Sequence, residues 1–192
     1  MSYHKGSYGG MSSTEIDEIE ETPISDYAIK QYLPDARILT YPEIKQYNTI
    51  DELLPTDKSY VIILYLQQKD SGHWASICRL NNVIYFFCSY GSNPLEPMKW
   101  ASKKMRIELD GEIPYLNNLL DKTEMKILYN NIDYQNNRNS IATCGRLTLM
   151  WLNFMLADKG DLFDFYKYMN KLKKKMKMNY DEVASYFYQS KE

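Results

Sequence analysis

Tyr60-Val61-Ile62-Ile63-Leu64-Tyr65-Leu66 is apolar at every position and mostly β-branched or aromatic. A strand of this composition has no polar face to give to water, so the sheet that holds it must be covered on both sides. Two more strand-like runs follow, Trp74–Leu80 and Val83–Cys88, separated only by Asn81-Asn82. Asparagine tolerates positive φ, so this pair predicts a tight hairpin turn. The hairpin sets His73-Trp74, at the start of one strand, beside Cys88-Ser89, at the end of the next.

Helical signals surround this centre. Ser25 to Leu33 reads as a short helix with a polar cap that closes before Pro34. Ile50 to Leu54 reads as one helical turn, and Leu116 to Tyr129 has the apolar spacing of a longer helix. The Asn-rich stretch 130–139 does not. From Cys144 an apolar helix is predicted to run to about Asp158, ended by Gly160. Asp161–Lys175 and Tyr180–Gln189 are further helices. Residues 1–22, Gly- and Ser-rich and then acidic from Glu15 to Glu21, read as a flexible leader ahead of one domain, 23–192.

Composition narrows the function. Hydrophobic residues make up 44% of 192 residues, enough for a real core, and a net charge of -2 argues against a protein devoted to nucleic acid. Cys78, Cys88 and Cys144 are too few and too irregular for a disulfide framework, and they fit a reducing compartment. No CxxC pair occurs and His4 and His73 are the two histidines, which argues against structural zinc. No apolar run is long enough for a bilayer and no secretory signal is evident, so neither membrane insertion nor secretion is expected.

Thr143-Cys144-Gly145 places a thiol at the first turn of the apolar helix. Helix N-termini present unpaired N–H groups and partial positive charge, which favour the nucleophilic thiolate. A buried cysteine is otherwise ordinary packing, so the thiol needs a base. His73 supplies one, since His4 lies in the leader. Gly72 and Trp74 beside it suggest a substrate cleft with an aromatic wall, and Gly145 allows close approach to the thiol. Gln135, in the loop before Cys144, is an amide donor suited to an oxyanion, with Asn136, Asn137 and Asn139 as rivals. Lys171 to Lys177 is a basic run that reads as a solvated helix face or a weak nucleic-acid contact.

His73-Trp74, Phe87-Cys88-Ser89-Tyr90-Gly91, Tyr134-Gln135 and Thr143-Cys144-Gly145 stand in an order that resembles the adenain-like cysteine proteases. That group holds the adenovirus maturation protease and the SUMO/ubiquitin-like-protein-specific proteases. The look is nearest to proteases of virophages and giant DNA viruses. The match spans about residues 58–156, leaving 157–192 as a helical C-terminal part. It implies an α+β papain-like/adenain-like fold: a central mixed sheet flanked by helices, with the nucleophile at the start of a buried helix. It also implies Cys144 as nucleophile, His73 as base and Gln135 in the oxyanion hole.

The third position departs from the pattern. Where the group carries Asp, this chain has Cys88. A neutral thiol gives imidazolium little charge stabilisation. Cys88 then either holds His73 weakly, yields that task to Asp70, Ser89 or a backbone carbonyl, or marks a weakened enzyme.

The resemblance implies a viral thiol endopeptidase that cuts capsid or other virion precursors at Gly-containing sites. It would act in the virion and in the cytoplasmic viral factory. No cofactor is expected, though a peptide or DNA activator stays open. The alternatives are a deconjugating protease for a ubiquitin-like modifier and a protease-like binding module. Gly9-Gly10 in the leader offers a site for self-cleavage after Gly10.

Overall fold

The computed structural model describes residues 11–138 and 140–189. The expected α+β architecture is present: a mixed sheet of five strands among the described residues, in spatial order β1-β2-β3-β4-β5, with helices on both faces. The strands are β1 (Ile38–Thr40), β2 (Tyr60–Gln68), β3 (Ser71–Leu80), β4 (Val83–Cys88) and β5 (Lys126–Tyr129). β2, β3 and β4 pair antiparallel, whereas both outer strands run parallel to their neighbours. Asn81 and Asn82, with φ of 50° and 59°, make the turn between β3 and β4.

Alternation along the strands creates two cores. Val61, Ile63, Tyr65, Ala75, Ile77, Ile84, Phe86 and Cys88 face one layer, with Leu53, Leu116 and Leu119 from α3 (Ile50–Leu53) and α6 (Tyr115–Leu120). Ile62, Trp74, Cys78, Tyr85 and Phe87 face the other, filled by α7 (Cys144–Leu156), α8 (Leu162–Met176) and α9 (Tyr180–Phe187). Trp151 of α7 stacks on Phe87 with ring centroids 5.3 Å apart, and Phe165 of α8 closes on both edge-on. Helix α7 begins at Cys144 as expected and ends at Leu156, two residues before Asp158, and Gly160 lies past its end at φ 136°.

Two sequence expectations are corrected. Leu116 to Tyr129 is not one helix: α6 ends at Leu120 and Lys126–Tyr129 becomes β5 against β4. Pairing with an exposed sheet edge overrides the helical spacing. Nor are residues 11–22 a flexible leader. Ser13–Glu21 form helix α1, opened by a capping box between Ser12 and Glu15. Ile16, Ile19 and Glu20 are buried, whereas Glu15, Glu18 and Glu21 are exposed. The Gly9-Gly10 site lies outside the described residues.

From α1 the chain runs along the start of α7 as a strap. The carbonyl of Glu20 accepts from Ala142 N–H at 2.7 Å, that of Thr22 from Arg146 Nη1 at 2.6 Å, and that of Ile24 from Trp74 Nε1 at 3.0 Å. The next helix, α2 (Asp26–Tyr32), is capped by Ser25 as the sequence predicts.

If α1 is structural, Ile16→Ala will cost about 2–4 kcal/mol of unfolding free energy, the usual loss for a buried aliphatic truncation. Urea unfolding measures it; a change near zero would mean the segment is unpacked in solution.

Candidate active site

Cys144 is the first residue of α7, with Thr143 at the N-cap position. The approach to it is fixed from several sides. Asp181, near the start of α9, accepts from the Thr143 hydroxyl and from Asn136 N–H, the latter at 3.0 Å. Glu20 of the strap holds Ala142. Gly145 is filled rather than open: a Cβ there would stand 2.2 Å from Ile24 Cγ2 and 2.9 Å from Trp74 Cδ1. Its lack of a side chain lets α7 close on Trp74, so Gly145 has a packing role here.

His73 and Cys144 come from opposite sides of the sheet. His73 shares its face with Ala75 and Cys88, whereas α7 packs on the face of Trp74. They approach around the sheet end. The backbone N–H groups of Trp74, Gly145 and Cys144 itself each favour the Cys144 thiolate, which puts the sulfur at the peptide bond joining His73 to Trp74.

Cys88 stands in contact with the histidine: Sγ to His73 Nε2 is 3.3 Å. The register of β3 and β4 makes this contact, since Ala75 is opposite Cys88 and His73 is the next residue on that face. Asn130 grips the Cys88 backbone twice, accepting from its N–H at 2.9 Å and donating to its carbonyl at 2.8 Å. With Nε2 taken by Cys88, Nδ1 is the ring nitrogen left for a reaction. Tyr90 stacks on the imidazole at 5.3 Å between centroids, and Trp100 covers it edge-on at 4.9 Å.

The other candidates to orient His73 are engaged elsewhere. Ser89 donates to Gln135 Oε1 at 2.7 Å, and Asp70 lies by the cleft on the Trp74 side. Gln135 is buried; Nε2 donates to Ile141 carbonyl at 3.1 Å, which uses one of its two hydrogens. Ser89 fixes which end of the amide faces the loop before Cys144. Asn136 braces that loop through Asp181.

Burial dominates the electrostatics. It lowers the His73 pKa to about 3 and raises Cys88 to about 11. It raises Cys144 too, against the pull of the N–H groups and, more weakly, Arg146. The helix N-terminus acts in the direction expected from the sequence but loses to desolvation. Both shifts favour the neutral forms, a thiol at Cys144 and an imidazole at His73. Cys144 keeps 8% of its surface exposed.

A cleft of about 520 Å³ adjoins the site, lined by Gly72 and Trp74 among others. Gly72 is also required structurally, because a Cβ would lie 2.0 Å from Tyr65 O. The basic run Lys171–Lys177 is on the outer end of α8, where Lys171, Lys174 and Lys175 are exposed and Lys173 lies 4.6 Å above the Tyr180 ring. Among the described residues no helix is long and apolar enough to cross a membrane.

Several residues of this arrangement escape sequence reasoning. Trp100, Asn130, Asp181 and the strap carbonyls carry no local signal, since each acts through a contact distant in the chain. Tyr90 had one, as part of the string after Cys88.

The fold is that of a viral protease. It is similar to the crystal structure of ASFV pS273R protease, with a TM-score of 0.50 and 12% identity over 89% of this chain and 68% of that one. The selenomethionine form of the same protease gives 0.51 and 14%, over 90% and 69%. No family model matches the sequence. The chain is 32% identical over 173 residues to the uncharacterized protein V9 of Sputnik virophage, covering 89% of this chain and 97% of V9. It belongs to the family of that virophage protein.

A neutral buried histidine makes stability depend on pH with a definite sign. Below about 6.5 the unfolded chain binds a proton at His73 that the folded protein does not. Its contribution, complete above pH 6.5, is lost as pH falls toward 3, at up to about 1.4 kcal/mol per pH unit. Urea unfolding at pH 4.5–7 will show a steeper acid loss for the wild type than for His73→Asn. Equal slopes would mean that His73 titrates normally.

Proposed function

We propose that this protein is a cysteine endopeptidase of the adenain-like group that processes precursors of virion proteins. The observation that carries the reading is the convergence at the sheet end. Cys144 sits at the N-terminus of α7 against the Trp74 N–H, and the neighbouring His73 has its far nitrogen held by Cys88 at 3.3 Å.

The chemistry follows from the neutral pair. His73 Nδ1 accepts the Cys144 proton as the sulfur attacks the scissile carbonyl, so that charge separates only as the S–C bond forms. Nε2–H is then the donor to Cys88 Sγ. The oxyanion is met by the free hydrogen of Gln135 Nε2 and by Cys144 N–H. His73 returns the proton to the leaving amine as the C–N bond breaks. Water, deprotonated by the same imidazole, then hydrolyses the thioester and restores the thiol.

Cys88 in the acidic slot favours a second reading, a protease-like binding module with little turnover. Kinetics separate the two. On a peptide from a virion precursor with a Gly-Gly cut site, Cys144→Ala and His73→Ala will lower kcat/KM by at least about 10³-fold. Cys88→Ala will cost only about tenfold, because a thiol partner orients the ring but adds little charge. An inactive wild type supports the binding module. A Cys88→Ala loss as large as that of His73→Ala refutes the dyad.

A further inference from the structure

The cleft beside Trp74 has a chemistry of its own. Its floor is apolar: Leu64 pairs directly with Trp74 across β2 and β3, and Ile38 of β1 lies next to them. Its rim carries carboxylates from three separate elements, Asp26 at the start of α2, Glu43 in the 3-10 turn after β1, and Asp70 in the β2–β3 turn. Among the described residues Lys30 is the one cation lining it. Two of the carboxylates accept local hydrogen bonds. Asp26 accepts from Tyr27 N–H at 2.8 Å, and Glu43 caps Thr40 through its N–H at 2.6 Å and its hydroxyl at 2.7 Å. None of the three is in an ion pair with a lysine or arginine among the described residues.

We propose that this cleft is a specificity subsite that takes a lysine or arginine side chain of the polypeptide substrate, a few residues from the scissile bond. The inference rests on the endopeptidase reading and adds the substrate class to it. Trp74 connects cleft and chemistry. Its backbone N–H meets the Cys144 sulfur, while its side chain walls the cleft, so a chain bound across one reaches the other. A long basic side chain is the occupant that fits both surfaces. Its aliphatic stem lies on Ile38, Leu64 and Trp74, and its charge reaches the carboxylate rim. About 520 Å³ accommodates it without rearrangement. An acidic side chain would meet three carboxylates, and nucleic-acid phosphates would be repelled in the same way.

The test separates this inference from the activity it rests on. Two fluorescent peptides of equal length, each with a Gly-Gly site and differing only in lysine or glutamate upstream, are titrated into full-length Cys144→Ala protein. Fluorescence anisotropy will show the lysine peptide binding about tenfold more tightly at low salt, with the gap closing toward 1 M salt. Asp70→Asn, in an exposed turn, will narrow the gap. Asp26→Asn/Glu43→Gln/Asp70→Asn will abolish it, with thermal melts confirming the fold. Equal binding of the two peptides overturns the proposal, as does a lysine preference that survives both variants. The wild-type protein is then incubated with the same peptides. A lysine preference in binding with neither peptide cut refutes the protease reading and leaves the cleft standing; equal cutting of both refutes the cleft alone.

Discussion

Trp74 ties the Cys144 side of the candidate site to the sheet. Its backbone N–H favours the Cys144 thiolate, its carbonyl accepts from the Thr148 hydroxyl of α7 at 3.5 Å, and its indole N–H is held by Ile24 of the strap. Its ring lies against Gly145, where a Cβ would collide. One residue thus locks helix α7 to strand β3, and the residue before it on that strand is His73. The alternating faces of a strand then account for the layout. Trp74 anchors the helix on one side, and His73 points to the other, where Cys88 waits on β4. Cys144 and His73 can meet only at the sheet end, which is where both β3 begins and α7 begins.

The same burial that builds the site decides its charge state. Aromatic cover from Tyr90 and Trp100 over His73, and the closure of α7 on Trp74, leave both groups in a medium too poor in water for an ion pair at rest. A carboxylate in the third position would oppose this by stabilising imidazolium. The thiol of Cys88, itself raised by burial, does not. Substitution and burial are consistent with each other: a site that starts neutral has less need of a permanent counter-charge and depends instead on donors placed for the oxyanion. Gln135, fixed in orientation by Ser89, is the donor proposed for that task.

The centre of the fold was legible because it depends on local chemistry. An all-apolar β2, the Asn81-Asn82 turn and the apolar run after Cys144 each dictate their element, and the hairpin register alone puts His73 next to Cys88. The ends were harder to read. The acid-rich 15–21 segment has only two isoleucines to bury in α1, and α1 packs chiefly on α9, distant in sequence. The helical spacing of Ile127 and Leu128 is real, but a free edge of β4 captures those residues as a strand. Asn130, Asp181 and Trp100 act only once the chain has folded back on itself. The individual roles of Cys144, His73 and Gln135 rest on motif order and a resemblance.

The central claim is that His73 activates Cys144 across the sheet end. A short peptide electrophile ending in glycine, incubated at neutral pH and located by mass spectrometry, tests it directly. The account predicts one adduct, on Cys144, that disappears in His73→Ala protein. No adduct on Cys144, or one formed equally fast without the histidine, would contradict it.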